Sequence, residues 1–291
     1  MPVNPVRDEY IIAGDLTFHY VQWGEQGPPI ICVSGITANA HCFQALADEL
    51  SSTHRVFAYD LRGRGDSDKP EDGYSLPIHA EDLAEIIDAL ELERPVVVGH
   101  SLGAMIGLYF AANYPKKLSK LVLMDGGGHL PWRTLEEQPA WLAASIGRLG
   151  TPVASFEEYV QRLKLTPFLG PYWNDYLDIY FAHDVYSQHD GSVISKTSPA
   201  SAQEDLKYLM HEYNPGLLWP RVQVPTLFLR AGQGLFSSDD QLVTQAEAEK
   251  IQENIQGCEY INYPALNHYT IAFLAYDGPA RDIQSFLGRK Q

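Results

Sequence analysis

Apolar residues in the first 128 positions follow two alternating rhythms. Short unbroken runs recur at Pro29–Val33, Arg55–Tyr59, residues 95–98 and residues 121–124. Runs of this kind belong to strands buried on both faces. Between them, apolar residues return at helical spacing over residues 43–50, 78–90 and 102–114. Within 78–90, Leu83, Ile86, Ile87 and Leu90 fall on one helix face. Residues 9–13 and Leu16–Trp23 read as an opening hairpin turned by Ala-Gly-Asp. The order strand, helix, strand, helix predicts a parallel sheet with helices on both faces.

The rhythm changes after Gly128. From His129 to Trp219 no comparable strand run occurs. Pro131, Pro139, Pro152, Pro167, Pro171, Pro199 and Pro215 break this stretch into short helical pieces, and it is rich in aromatic residues for its length. After Pro225 the first rhythm resumes, with strands at 226–229 and Glu259–Tyr263 and helices at 241–255 and 282–287. The chain therefore reads as one α/β core, residues 1–128 and 220–291, interrupted by a helical insertion over residues 129–219.

The strongest local signal is Gly99-His100-Ser101-Leu102-Gly103, which follows a buried strand and opens a helix. A serine on so sharp a turn is raised above the sheet edge. The helix N-terminus and the Leu102 N–H then point at any oxyanion forming beside it. In this context the sequence resembles the α/β-hydrolase family. The resemblance implies a mostly parallel eight-stranded sheet with helices on both faces and an inserted helical cap. It extends to Ser34-Gly35-Ile36, where the family carries its oxyanion loop, and implies that Ile36 and Leu102 supply the two backbone N–H groups. The family often has His-Gly where this chain has Ser34-Gly35. Asp60-Leu61-Arg62-Gly63-Arg64-Gly65-Asp66-Ser67 resembles a further family turn and reads as scaffolding, its charges tying a loop down.

The family's chain order is serine, acid, histidine. His268 is the only histidine after Trp219 and lies just past the last strand, so the resemblance makes it the base for Ser101. The usual acid position after the strand at 226–229 holds no carboxylate. Asp239 and Asp240 come later, ahead of a helix, where N-capping accounts for them. Some family members carry the acid one strand earlier, and here that position is Asp125. Asp125 is the expected third member, with Asp239 or Asp240 as the alternative.

The insertion is expected to cover Ser101. Trp132, Trp141, Phe168, Tyr172, Trp173, Tyr176, Tyr180 and Phe181 are candidates to line an apolar cavity, more than half of them packing the insertion's own core. His129 and Trp132 leave the sheet first and are the preferred substrate-binding candidates, together with Gly35 and His100 beside the serine. No metal and no cofactor is expected: His183-Asp184 and His189-Asp190 match no metal-binding spacing and read as solvated caps, and Gly126-Gly127-Gly128 is no phosphate fingerprint.

Composition narrows the partners. A formal charge of −16 disfavours nucleic acid and anionic membrane surfaces. Cys32, Cys42 and Cys258 are an odd number at wide spacing and suggest neither a disulfide framework nor a zinc site. With no signal-like start and no run of about 18 apolar residues, a soluble cytoplasmic protein without membrane insertion is expected, acting on a small apolar ester-like substrate. The expected reaction is acyl-enzyme hydrolysis of a carboxylic ester or lactone. C–C bond hydrolysis of a dienoate ketone, perhydrolysis on the same triad, and a non-catalytic ligand-binding receptor on this fold remain open alternatives.

Overall fold

The computed structural model describes residues 2–289. In chain order the core begins with β1 (Arg7–Ala13), β2 (Leu16–Trp23), β3 (Pro29–Val33), α1 (Gln44–Leu50), β4 (Arg55–Tyr59), α2 (Leu76–Ala89), β5 (Val96–His100), α3 (Leu102–Asn113) and β6 (Lys120–Met124). Next come α4 (Ala140–Gly147), α5 (Phe156–Lys164), α6 (Asp175–Asp184), the short strands β7 (Val185–Ser187) and β8 (Val193–Ser195), and α7 (Pro199–His211). The chain ends with β9 (Thr226–Ala231), α8 (Gln245–Asn254), β10 (Glu259–Tyr263), α9 (Thr270–Phe273) and α10 (Pro279–Leu287).

Eight strands form one sheet in the order β1-β2-β4-β3-β5-β6-β9-β10. β2 pairs antiparallel with β1 and β4, and all other pairings are parallel. Every residue of β5, β6 and β9 is buried, which is why these strands read as unbroken apolar runs. The edge strands β1 and β10 are largely exposed or half-buried. α2 and α3 pack together beside β1, β5 and β6, while α1 and α10 pack together against β4 and β9. α3 is buried almost all round, so its apolar residues form no stripe. No helix among the described residues is long and apolar enough to cross a membrane.

The strand order places the site. From β3 the chain moves outward to β4, then crosses back to β5 on the other side of β3. This reversal opens a crevice at the carboxyl ends of β3 and β5, where ligands bind in such sheets. Residues 34–37, Ser101 and Asp125 all leave the sheet at that edge.

Because β6 and β9 are neighbours in the sheet, α4 to α7 form an insertion between adjacent strands. The antiparallel pair β7–β8 in it was not expected from the sequence; three residues per strand are too few to show an alternation. The helix expected over 241–255 starts only at Gln245, with the Thr244 hydroxyl accepting from Glu247 N at 3.2 Å. Asp240 is no cap: its two carboxylate oxygens accept the Leu235 and Phe236 amides at 2.7 and 2.9 Å and close a loop. Asp184 is likewise no solvated cap. It is buried and accepts from Arg148 at 2.7 Å, joining α6 to the end of α4. Asp190 caps no helix either and closes an exposed turn by accepting from Ser192 N and Oγ.

Charged ties hold the insertion to the core. Fully buried Arg64 donates to Asp205 on α7 at 2.5 Å, and also to the carbonyls of Ile36 and Arg62. His79 on α2 meets the other Asp205 oxygen at 2.9 Å. Burial alone would raise the Asp205 carboxyl, but attraction to His79 and Arg64 outweighs it and holds the group below its ordinary value. Replacing Asp205 by alanine strands the Arg64 guanidinium in the interior, so a loss of about 3–5 kcal/mol in urea unfolding is expected. A loss under about 1 kcal/mol, the scale of a surface pair, would show that water reaches Arg64 and that this tie is dispensable.

Candidate active site

The site is built on close backbone approach. A Cβ on Gly99 would lie 2.1 Å from the Gly103 carbonyl oxygen, and one on Gly103 would lie 1.9 Å from that of Val33. Only glycine lets α3 start this near to β3 and β5. The junction holds Ser101 at φ 59°, ψ −120°, a conformation rare for a residue with a side chain. Ser101 N donates to Met124 O at 3.1 Å, and Ser101 O accepts from Ala104 N at 3.0 Å.

Ser101 Oγ lies 3.0 Å from His268 Nε2, and His268 Nδ1 lies 2.7 Å from Asp125 Oδ2. The carboxylate fixes the tautomer. Nδ1 carries the proton and donates it to Asp125, which leaves the Nε2 lone pair for the serine hydroxyl. Asp125 also sits in the left-handed region, at φ 44°, directly after β6. Its N–H donates to Leu229 O at 2.8 Å, and its second oxygen accepts from Ala231 N at 3.1 Å. The structure thus brings Asp125 to His268, whereas exposed Asp239 and loop-closing Asp240 stay away.

His268 is held from several sides. Asn267 Oδ1 accepts from the Tyr269 and Thr270 amides, and Asn267 Nδ2 donates to Phe168 O in the insertion at 3.0 Å. His100 Nε2 donates to His268 O at 2.7 Å. The imidazole packs beside the Trp141 ring, with centroids 5.1 Å apart. Burial, then repulsion from the His268 ring, pushes the His100 pKa down to about 3 despite the opposing hydrogen bond. His100 is therefore neutral, and its Nδ1 is a buried acceptor without a partner among the described residues.

The loop after β3 runs against Ser101: a Cβ on Gly35 would lie 3.3 Å from Ser101 Cβ. Ala38 N donates to Gly35 O at 3.1 Å, and Arg64 Nε donates to Ile36 O at 3.1 Å. These two bonds fix the peptides on either side of Ile36, whose N–H has no partner among the described residues. Leu102 opens α3, so its N–H has no partner within the helix.

Above Ser101 lies a small, partly open cavity. Gly35, Ile36, His100, Trp141, Tyr180, Tyr269 and Phe273 are among its walls. Trp132 lines a second, apolar recess that also reaches Ser101, with Met105, Leu142, Leu206 and Leu209. The expectation for His129 is corrected: its ring turns to Glu247 at 2.6 Å and stands edge-on to Trp219, so it lines neither space. Glu247, on α8, captures both the His129 N–H and its ring. Trp173 and Tyr176 also face elsewhere, onto Phe181 and Asp48. Ser145, Tyr269 and Phe273 were missed. Tyr269 could have been found, since it directly follows His268; the other two carry no pattern of their own.

A family model described as the alpha/beta hydrolase fold matches residues 28–272. The chain belongs to this family. It is 28% identical over 258 residues to the 2-(acetamidomethylene)succinate hydrolase of Mesorhizobium japonicum, covering 88% of this chain and 86% of that protein. Over only 102 residues it is 35% identical to uncharacterised proteins of Mycobacterium bovis and Mycobacterium tuberculosis, and it spans 30% of their length. Among solved structures of α/β hydrolases, that of E-2-(acetamidomethylene)succinate hydrolase superposes with a TM-score of 0.83 at 24% identity, covering 97% of this chain and 99% of that one. The enol-lactonase of Burkholderia xenovorans superposes with a TM-score of 0.72 at 19% identity, covering 97% and 100%. At these identities the superpositions show a shared fold.

A neutral buried histidine has a measurable consequence for the stability of this fold. The folded pKa of His100 is about 3, below the 6.5 of the free side chain, so the native state binds fewer protons. His100 thus costs no stability above pH 6.5, and stability falls as pH drops from 6.5 towards 3. Urea unfolding of the wild type and of His100→Asn at pH 7 and pH 4.5 should show a flatter pH dependence in the variant. Equal slopes would mean that His100 is protonated in the folded protein.

Proposed function

We propose that this protein is a serine hydrolase that cleaves an uncharged carboxylic ester or lactone through an acyl-enzyme. The observation that carries the proposal is the line from Ser101 Oγ through His268 to Asp125, at 3.0 and 2.7 Å, on a strained strand-to-helix turn. His268 Nε2 takes the Ser101 proton as Oγ attacks the carbonyl carbon. Asp125 orients the imidazole and stabilises the imidazolium that forms. The N–H groups of Ile36 and Leu102 bind the oxyanion. His268 then protonates the leaving oxygen, and water attacks the acyl-enzyme by the same route in reverse. C–C cleavage and perhydrolysis would use the same three side chains; product analysis separates them. The insertion, residues 129–219, acts as the lid, with Trp132, Trp141 and Tyr180 as its cavity walls. Three buried free cysteines support a reducing, cytoplasmic location.

The substrate class follows from charge. Among the described residues no lysine or arginine borders the cavity above Ser101 or the recess beside it, and Arg148, in the adjoining space that shares Tyr180 and Tyr269, is already held by Asp184. A substrate carboxylate there would lose its water without a compensating cation, and a buried unpaired charge is costly. A substituted succinate, the compound in the relative's name, carries two carboxylates. This chain is therefore assigned a neutral substrate.

Two experiments test the proposal. Ser101→Ala should abolish turnover of a p-nitrophenyl ester and labelling by a phosphonate. Asp125→Asn should lower kcat by about 10⁴-fold, while Asp239→Asn stays near wild type. Wild-type turnover by Ser101→Ala would end the serine mechanism, and a wild type that turns over no ester would leave a receptor role. In the second experiment, kcat/KM for p-nitrophenyl butyrate should exceed that for the p-nitrophenyl monoester of succinate by at least about 10-fold, the scale of an unmet charge. Equal values would refute the neutral-substrate assignment while leaving the triad intact.

A further inference from the structure

A second cluster of reactive side chains lies away from Ser101, where the amino-terminal strand, the segment after the oxyanion loop and the insertion meet. Asp8 lies on β1, His41 on the one-turn helix Ala40–Phe43, and His183 at the end of α6. One side-chain ligand atom from each lies within 4.8 Å of the others. His41 is only 3% exposed, yet neither of its ring nitrogens has a hydrogen-bond partner among the described residues. A buried polar group left unmet is costly, so two such nitrogens on one ring call for an explanation. The His41 and His183 rings face each other with centroids 3.6 Å apart, close enough that protonating both would set two like charges against one another.

We propose that Asp8, His41 and His183 bind a divalent transition ion of the zinc class, with water as a fourth ligand. Two imidazoles and one carboxylate suit such an ion, at bond lengths of about 2.0–2.2 Å. The groups behind the ligands fit the role. His183 Nδ1 donates to Ile179 O at 2.9 Å, which leaves Nε2 as the free donor atom for a metal. Asp8 Oδ1 accepts from His19 Nε2 at 2.7 Å, and His19 Nδ1 is anchored by Asp60 at 2.8 Å, so Asp8 keeps a second oxygen for the ion. Such outer partners orient metal ligands. Burial pushes His41 down to about 4, with repulsion from His183 adding to the shift. A neutral His41 carries one ring N–H and keeps one in-plane lone pair, which is what a single ion requires of it. His19, Asp60 and Asp66 also lie within 4.8 Å of one another, but both His19 nitrogens are already engaged by carboxylates. Closing the first trio onto an ion requires Asp8 to move and the half-exposed His183 ring to turn out of its stack on His41, since stacked rings do not aim their in-plane lone pairs at one point. The ion would tie β1, the segment after the oxyanion loop and the insertion together at one point. Its three ligands come from distant stretches of chain, so no local spacing announces it.

The test uses tag-free full-length protein stripped with EDTA. Titration with Co²⁺ should give visible ligand-field bands that saturate at one equivalent and bleach on adding Zn²⁺. Metal analysis after desalting should find one zinc per chain, and zinc should raise the melting temperature. His183→Gln and Asp8→Asn, both near the surface, should weaken Co²⁺ binding by at least about 10-fold while melting close to metal-free wild type. His41→Ala is a poorer probe because its site is interior. Absence of Co²⁺ bands in the wild type, or bands of equal strength and affinity in His183→Gln, would overturn the proposal.

Discussion

Everything at the site depends on how closely α3 approaches the sheet. The helix begins within one residue of the end of β5, and its first turn touches the backbone of β3. Two missing side chains permit this contact, at Gly99 and Gly103. The cost appears at Ser101, which sits between them in a conformation L-residues seldom adopt. That strain is offset by the surrounding parallel strands, whose fully buried residues leave the turn no room to relax. Moving the helix outward by an ångström would ease Ser101 and also part its hydroxyl from His268.

A similar constraint acts one strand away. Asp125 ends β6 as Ser101 ends β5, and it too has positive φ. Its N–H continues the ladder to β9 through Leu229 O, and its side chain turns back to take the Ala231 N–H. The carboxylate is thereby held at the same sheet edge as the serine, with one oxygen left for His268. A carboxylate on the longer loop after β9 would need that loop to fold inward. Here the loop instead closes on itself through Asp240, and Trp141 Nε1 donates to the Asp240 carbonyl.

What could be read from the sequence follows this division. The central strands were legible because burial on both faces leaves unbroken apolar runs, and the elbow was legible because its glycines answer to contacts within a few residues. His268 and Asp125 were legible through chain order and strand position. The walls of the cavity were legible only in part: Trp141 and Tyr180 line it as expected. His129 leaves the sheet at a promising place, but Glu247, more than a hundred residues later, captures it. Phe273 reaches the cavity through packing between the insertion and the core, which no local period encodes. Asp184 failed for the same reason, since its partner Arg148 belongs to another helix of the insertion.

The loop after β3 shows how the two parts of the chain meet. Ser34 stands where a histidine is common in the family, and its buried hydroxyl has no partner among the described residues. The bracing of this loop comes instead from Arg64, whose guanidinium reaches the Ile36 carbonyl while it holds Asp205 of the insertion. One cation thus fixes both the loop beside the serine and the element that covers it. A guanidinium suits this role, because its planar fork donates in several directions at once and stays charged when buried. The insertion and the loop beside Ser101 are thereby mechanically linked: a displacement of α7 would pull on Arg64 and loosen the peptide next to Ser101.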